Sequence, residues 1–344
     1  MRLFESRTRR RRLGAENHGP RTTDHGRRNP AHRLLSAVLL GLLLAPAAAA
    51  QIDYGYEFER SGSAGFQFLK IALGARESAL GEAAAALTND ANAVFWNVGA
   101  LPLADARQAA FTHNEWIVDS AIDALAVSTP LGNYAVGLSV VRFGIEPFEE
   151  TTVLEPDGTG RMVEAGDFMV GLAGARRFTD RLTIGIQAKY VHETLDTDSF
   201  SDVLFDVGAL YYTGFRDLRL AFTLQHFGPD VQGLQQKFRT PLLFRVALAD
   251  RLFEASNVRV ETAVELVHPT DNNEWVNAGL EATLLDVLAL RGGYRLSVDE
   301  GAWSVGVGVA PPRVGGVGLR ADYAYVPFGD LLGDTHRFTV TISP

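Results

Sequence analysis

The chain has no cysteine. That excludes a disulfide framework and any thiolate metal site. Past residue 50 it has no run of eighteen apolar residues, so no helix of the mature chain spans a membrane. It lacks a Gly-x-Ser-x-Gly nucleophile motif. Positive charge is also scarce. Over 344 residues, 32 Lys+Arg face 41 Asp+Glu, a net of −9. This argues against nucleic acid as a partner. With 47% hydrophobic and 21% charged residues the chain is not of disordered composition.

The charge is unevenly spread. Residues 1–50 carry ten arginines against Glu5, Glu16 and Asp24, which leaves 51–344 at a net of −16. Within the basic leader, Arg33 precedes the uncharged run Leu34–Ala50, which ends in Ala48-Ala49-Ala50. A basic stretch, an apolar stretch and small residues before Gln51 read as a secretory signal peptide. A membrane anchor is the alternative, but seventeen residues interrupted by Pro46 make a poor span. The expected division is a leader at 1–50 (apolar region 34–50), an N-terminal extension and hatch at 51–106, and a barrel at 107–344.

From residue 107 the dominant period is two. In 257–267, Val258, Val260, Thr262, Val264 and Leu266 share one face, and Arg259, Glu261, Ala263 and Glu265 share the other. In 302–310, Trp303, Val305, Val307 and Val309 alternate with Ser304, Gly306, Gly308 and Ala310. Fourteen such stretches of about ten residues fit tilted strands crossing a bilayer. They fall near 107–116, 121–129, 132–143, 166–176, 181–193, 203–212, 217–227, 241–249, 257–267, 274–284, 286–297, 302–310, 315–325 and 335–343. Tight connections (Pro130-Leu131, 177–180, 213–216, Leu285, 311–314) alternate with long ones (144–165, 194–202, 228–240, 268–273, 326–334), and 250–256 is the exception on the short side. An even count with short turns on one rim and loops on the other is the outer-membrane pattern. A soluble β-sandwich also alternates, but its strands usually have five or six residues. The final strand ends in Pro344 rather than the aromatic residue common in such barrels.

The segment before the strands is rich in Ala and Gly, with short helical pieces expected around 75–87 and 91–95. Asn89 and Asp90 can start or stop a helix. A fourteen-stranded barrel is too wide for its own side chains to fill, and this segment is a natural plug.

Phe66-Gln67-Phe68-Leu69-Lys70-Ile71, Gly74-Ala75-Arg76, Ala79-Leu80-Gly81 and Asn89-Asp90-Ala91-Asn92-Ala93-Val94-Phe95-Trp96-Asn97 together resemble the start of the PorV/PorQ family, within the wider FadL-like barrels. His113-Asn114-Glu115-Trp116, Arg177-Phe178-Thr179-Asp180-Arg181 and Tyr211-Tyr212-Thr213-Gly214 extend the resemblance across 51–344. It implies an all-β, fourteen-stranded antiparallel transmembrane barrel in the bacterial outer membrane, in contact with its lipid. It also implies a hatch containing Asn89, Asp90, Asn92, Trp96 and Asn97, with no enzyme activity and no cofactor. PorV-like members receive secreted cargo proteins and serve type IX secretion machinery. FadL-like members move fatty acids and other hydrophobic compounds; for this chain the resemblance makes a secretion role the first expectation and hydrophobic transport the alternative. Where the family reads Trp-Asn-Pro-Ala-Gly, this chain has Trp96-Asn97-Val98-Gly99, without the turn that proline supplies.

No catalytic grouping and no metal site is expected. His113, His192, His226, His268 and His336 do not pair at ligand spacing. Gly306 and Gly308 lie in a strand pattern with no helix following, which fits a crowded lumen wall rather than a nucleotide loop. Arg245, Arg259, Glu261, Glu265, Glu281, Arg291 and Arg295 fall on the inward face of strands eight to eleven, and Asp206, Arg320, Asp322 and Arg337 can join them. They either brace the lumen and anchor the plug or bind an anionic head group. The acidic loop 144–165 and loop 228–240 are the natural surfaces for a protein partner.

Overall fold

The computed structural model describes residues 62–233 and 237–344. The signal-peptide reading and the start of the extension, to residue 61, lie outside the described residues. Fourteen long antiparallel strands form one closed sheet. They are β1 (Gln108–Glu115), β2 (Ser120–Leu131), β3 (Tyr134–Ile145), β4 (Ala165–Arg177), β5 (Leu182–Leu195), β6 (Asp198–Tyr212) and β7 (Arg219–Phe227). The second half is β8 (Leu243–Ala255), β9 (Val258–Pro269), β10 (Trp275–Leu284), β11 (Leu288–Leu296), β12 (Trp303–Val309), β13 (Gly318–Pro327) and β14 (Asp334–Ser343). Each strand pairs with its sequence neighbours. The ladder from Ala109↔Ile342 to Glu115↔His336 joins β1 to β14 and leaves no edge.

Alternation is inside-out relative to a water-soluble barrel. Leu172 and Ile186 are 68% and 63% exposed, and Phe111, Leu290 and Val340 likewise face outward. Asn114, Ser139, Gln187, Thr223 and Asn277 are buried in the lumen. An apolar outer band over a polar interior suits a barrel surrounded by lipid. Tyr134, Phe227, Tyr294 and Trp303 are exposed at or near strand ends, where aromatic girdles sit.

All fourteen expected strands are present. Several are longer than the apolar alternation indicates. The expected long connection 194–202 is a two-residue turn, Asp196-Thr197, because β5 and β6 stay paired out to Leu195↔Asp198. The run Asp198-Ser199-Phe200-Ser201-Asp202 carries polar groups on both faces, so no periodicity marks it. At 250–256, β8 continues to Ala255 through an irregularity between Arg251 and Phe253. The two longest loops contain small hairpins, Phe148–Glu149 with Met162–Val163 and Val231–Gln232 with Lys237–Phe238. Gly315 and Gly316 lie in the β12–β13 connection at positive φ rather than in a strand.

Residues 62–104 occupy the lumen. The helix expected over 75–87 ends at Ala79, because Gly81 and Glu82 take left-handed φ of 62° and 66°. There the plug backbone lies against Gly279 and Gly293 on β10 and β11, and a Cβ on Gly293 would overlap Gly81. Val98–Leu103 is a 3₁₀ helix on the opposite wall, where a Cβ on Gly208 would meet the Asn97 side chain. The alanines at 83–86 are fully buried. The Ala/Gly composition thus follows from the space: the lumen admits a backbone but few large side chains.

Gly293→Val is therefore expected to unseat the plug while leaving the strand ladder intact. Limited proteolysis should cut within 75–104 of the variant and spare the wild type, with heat-modifiable migration retained in both. Equal protection of both proteins would show that this contact does not hold the plug.

Candidate functional site

The inward charges form a connected chain between plug and wall. Arg76 of the plug donates twice to Glu281, Nε and Nη2 each at 2.9 Å, and reaches Asn89 Oδ1 at 3.2 Å. Glu281 also accepts from Arg291, which donates to Asp322 at 2.8 Å. Asp322 accepts from Arg320 at 2.8 Å, and Arg320 returns to Asp90 of the plug. Two further pairs cross the same gap. Arg295 donates to Glu82 at 2.9 Å. Glu265 accepts from Arg245 at 2.7 Å and from the Ala85 amide at 3.0 Å. Arg259 lies 3.6 Å from Glu261 and 3.4 Å from Asp286, and Arg219 also pairs with Glu261. Planar guanidinium forks suit such two-point contacts, and removing one partner of a buried pair strands the other.

The residues singled out in the hatch hold it together. Asn97 caps the 3₁₀ helix by accepting from the Gly99 amide at 3.0 Å, and its amide donates to Ala85 O at 2.9 Å and Ala209 O at 3.2 Å. Asn97 thus caps the turn into this helix, with Val98 at its first position. Trp96 donates from Nε1 to Leu73 O at 2.7 Å. Asp90 accepts from the Asn92 amide at 2.9 Å. Burial pushes the Asp90 carboxyl up, but Arg320 and Arg76 outweigh it and hold it below its ordinary value.

A second feature escaped the sequence pattern. On the long-loop side of the plug lies a narrow cavity of ≈40 Å³. Apolar side chains such as Phe68, Ile71, Phe95, Trp96, Val141 and Met169 make most of its wall. One end is basic and polar. Lys189 Nζ lies 2.7 Å from Asp206 Oδ1 and 2.6 Å from His226 Nδ1, and the His226 amide donates to Asp206 at 2.7 Å. Lys70 pairs with Asp271 at 2.8 Å, and the Arg245 guanidinium stacks 5.1 Å over Trp96. Asp206 sits where the β6–β7 register slips, and His226 has a φ of 62°. One signal was available: the chain has only three lysines, and two of them, Lys70 and Lys189, line this cavity. Of the expected charge cluster, Arg245 and Asp206 border it. Arg259, Glu261, Glu281 and Arg291 instead line a polar cavity of ≈480 Å³ on the short-turn side. Among the described residues no group of three or more His, Asp or Glu is placed to hold a metal.

Glu77 gives the plug a pH dependence. It is buried in helix Ala75–Ala79, and its Oε1 and the nearby Asn92 Oδ1 both lack partners. Burial, with Asp90 beside it, pushes its carboxyl from 4.5 up to about 8. A carboxyl whose folded value lies above its unfolded one stabilises the folded state below about pH 4.5, and that contribution is lost as pH rises through about 8. Plug protection against protease should therefore weaken between pH 6 and pH 9, and Glu77→Gln should flatten the profile. An unchanged wild-type profile over that range would refute this assignment.

A sequence profile of an uncharacterised protein family (UPF0164) matches residues 43–192. No curated protein sequence matches the chain. Solved structures do. The toluene transporter TbuX of Ralstonia pickettii has a TM-score of 0.54 at 13% identity, covering 78% of this chain and 96% of that one. A FadL homologue of Pseudomonas aeruginosa has 0.51 at 10% identity, covering 79% and 98%. The toluene transporter TodX of Pseudomonas putida has 0.53 at 11% identity, covering 78% and 96%. At these identities the likeness concerns the fold alone: a closed fourteen-stranded antiparallel barrel.

Proposed function

We propose that this protein resides in the bacterial outer membrane and passes hydrophobic small molecules through its barrel. The observation that carries the reading is the apolar cavity on the long-loop side of the plug, with Lys189 and Arg245 at its polar end. Largely apolar walls with few convergent polar groups are the lining of a small-molecule site, and at ≈40 Å³ the cavity would have to widen, by a shift of the plug, to admit one. The named transporters of the same fold support it. The apolar wall would take a hydrocarbon body, and Arg245 is the member of the inward charge cluster that would face a polar or fatty-acid head. The remaining members, Arg259, Glu261, Glu265, Arg291 and Arg295, would brace the lumen and seat the plug. Because the plug closes the lumen below the cavity, onward passage would require it to shift. Asn89, Asp90, Asn92, Trp96 and Asn97 are then the residues whose contacts must change.

The second reading is a role in type IX-like protein secretion, with cargo proteins and secretion machinery as partners. The PorV/PorQ resemblance supports it, and so does the tip of the β3–β4 loop, where Val153 and Leu154 are 99% and 92% exposed. Exposed apolar tips of this kind suit a protein contact.

Met169→Trp should fill the cavity and lower uptake of a radiolabelled hydrophobic probe into proteoliposomes about tenfold, while deletion of 148–160 leaves uptake unchanged. A pulldown from detergent-solubilised outer membranes separates the two functions. Enriched hydrophobic compounds without protein partners support transport. Secretion components, or proteins sharing a C-terminal domain, retained by the wild type and lost on deletion of 148–160, would replace that reading with secretion.

A further inference from the structure

Five arginines are buried among the described residues: Arg76, Arg219, Arg245, Arg291 and Arg337. Four are matched to carboxylates: Arg76 and Arg291 to Glu281, Arg219 to Glu261, and Arg245 to Glu265. Arg337 on β14 is the exception. It is 1% exposed, its Nε has no acceptor, and among the described residues no carboxylate pairs with it. The charges that act on it are Glu82 and Arg295, and Glu82 is already engaged by Arg295 at 2.9 Å. A guanidinium does not shed its proton to escape such a site. An unmatched buried cation is strongly unfavourable, so this position calls for an anionic acceptor that the described residues do not supply.

The surroundings fit one. Asn114 faces Arg337 directly across the β1–β14 ladder. It is fully buried, and neither its Nδ2 nor its Oδ1 has a partner. A guanidinium beside an unpartnered amide offers several N–H donors to one acceptor. Above them the Trp116 ring lies 5.3 Å from the guanidinium carbon, and Phe328 meets that ring edge-on at 5.0 Å. Aromatic groups thus cover the donors from the loop side. Two residues along the same strands, toward the short-turn rim, Thr112 and Thr339 hydrogen-bond at 2.8 Å, and Thr339 accepts from the Ala75 amide of the plug at 2.9 Å. The position is therefore enclosed by β1, β14 and the residues that seat the plug.

We propose that Arg337 and Asn114 form an oxyanion-binding site in the lumen, for a carboxylate, sulfate or phosphate group. The site is separate from the apolar cavity, whose lining includes neither residue, and it does not depend on the transport reading. The bound oxyanion replaces the missing carboxylate, and with Thr339 nearby its occupancy stabilises the seated plug.

The test uses the full chain in non-ionic detergent. Sodium sulfate, phosphate and acetate are each titrated at constant ionic strength against sodium chloride, with binding followed by calorimetry and stability by the thermal midpoint. At least one oxyanion should bind saturably at one per chain and raise the midpoint where chloride does not. Arg337→Met should weaken that binding at least tenfold, and Arg337→Lys should give an intermediate value because it keeps charge without the fork. Asn114→Leu provides an independent variant with the same expected direction. An octanoate arm separates sources: affinity within a few-fold of acetate means a free ion, and affinity more than tenfold tighter means the head of an amphiphile. Oxyanions indistinguishable from chloride, or undiminished binding in Arg337→Met and Asn114→Leu, would overturn the proposal.

Discussion

Closure of the strand ladder is the constraint from which the rest of the molecule follows. In lipid every strand N–H and C=O needs a partner within the sheet, so β1 must find β14. Once the wall is closed its outer face must be apolar, and polar side chains of the membrane-embedded strands turn inward. Fourteen strands enclose more space than those side chains fill. A segment of chain has to enter the lumen, and it meets a wall already rich in charge. The plug answers with Arg76, Glu82 and Asp90, each placed against the opposite charge on the wall. Buried ion pairs contribute little net stability compared with apolar packing. Their effect here is positional: an Ala/Gly surface alone could seat in several places along a smooth wall, whereas these pairs are satisfied together in one.

The legibility of the sequence divides along the same line. Strands β1 to β14 were readable because lipid on one face and polar lumen on the other impose a strict period of two. That period fades outside the bilayer, so the outer ends of β5 and β6 read as a loop in the sequence. The inward charges on β8 to β11 were readable from face alone, since Arg245, Glu261, Glu281 and Arg291 share one parity. Their partners were not, because Arg76 and Glu281 are 205 residues apart and no local pattern links them. The plug helix was overextended for a similar reason: Ala83–Ala86 favours a helix locally, but Gly81 and Glu82 follow the wall glycines instead. The cavity at Lys189, Asp206 and His226 was the least readable feature, because it depends on a register slip that alternation does not encode.

The two kinds of basic residue make different contacts in the lumen. The braces are arginines, whose rigid forks bridge two acceptors at once, as Arg291 bridges Glu281 and Asp322. Two of the chain's three lysines lie at the apolar cavity instead, each on a single carboxylate: Lys70 on Asp271 and Lys189 on Asp206. An ammonium on a flexible stem can turn toward another acceptor without dismantling a two-point contact, whereas a fork cannot. The two-point arginine braces thus fix the plug on the short-turn side, while the cavity on the long-loop side is bordered by both lysines together with Arg245.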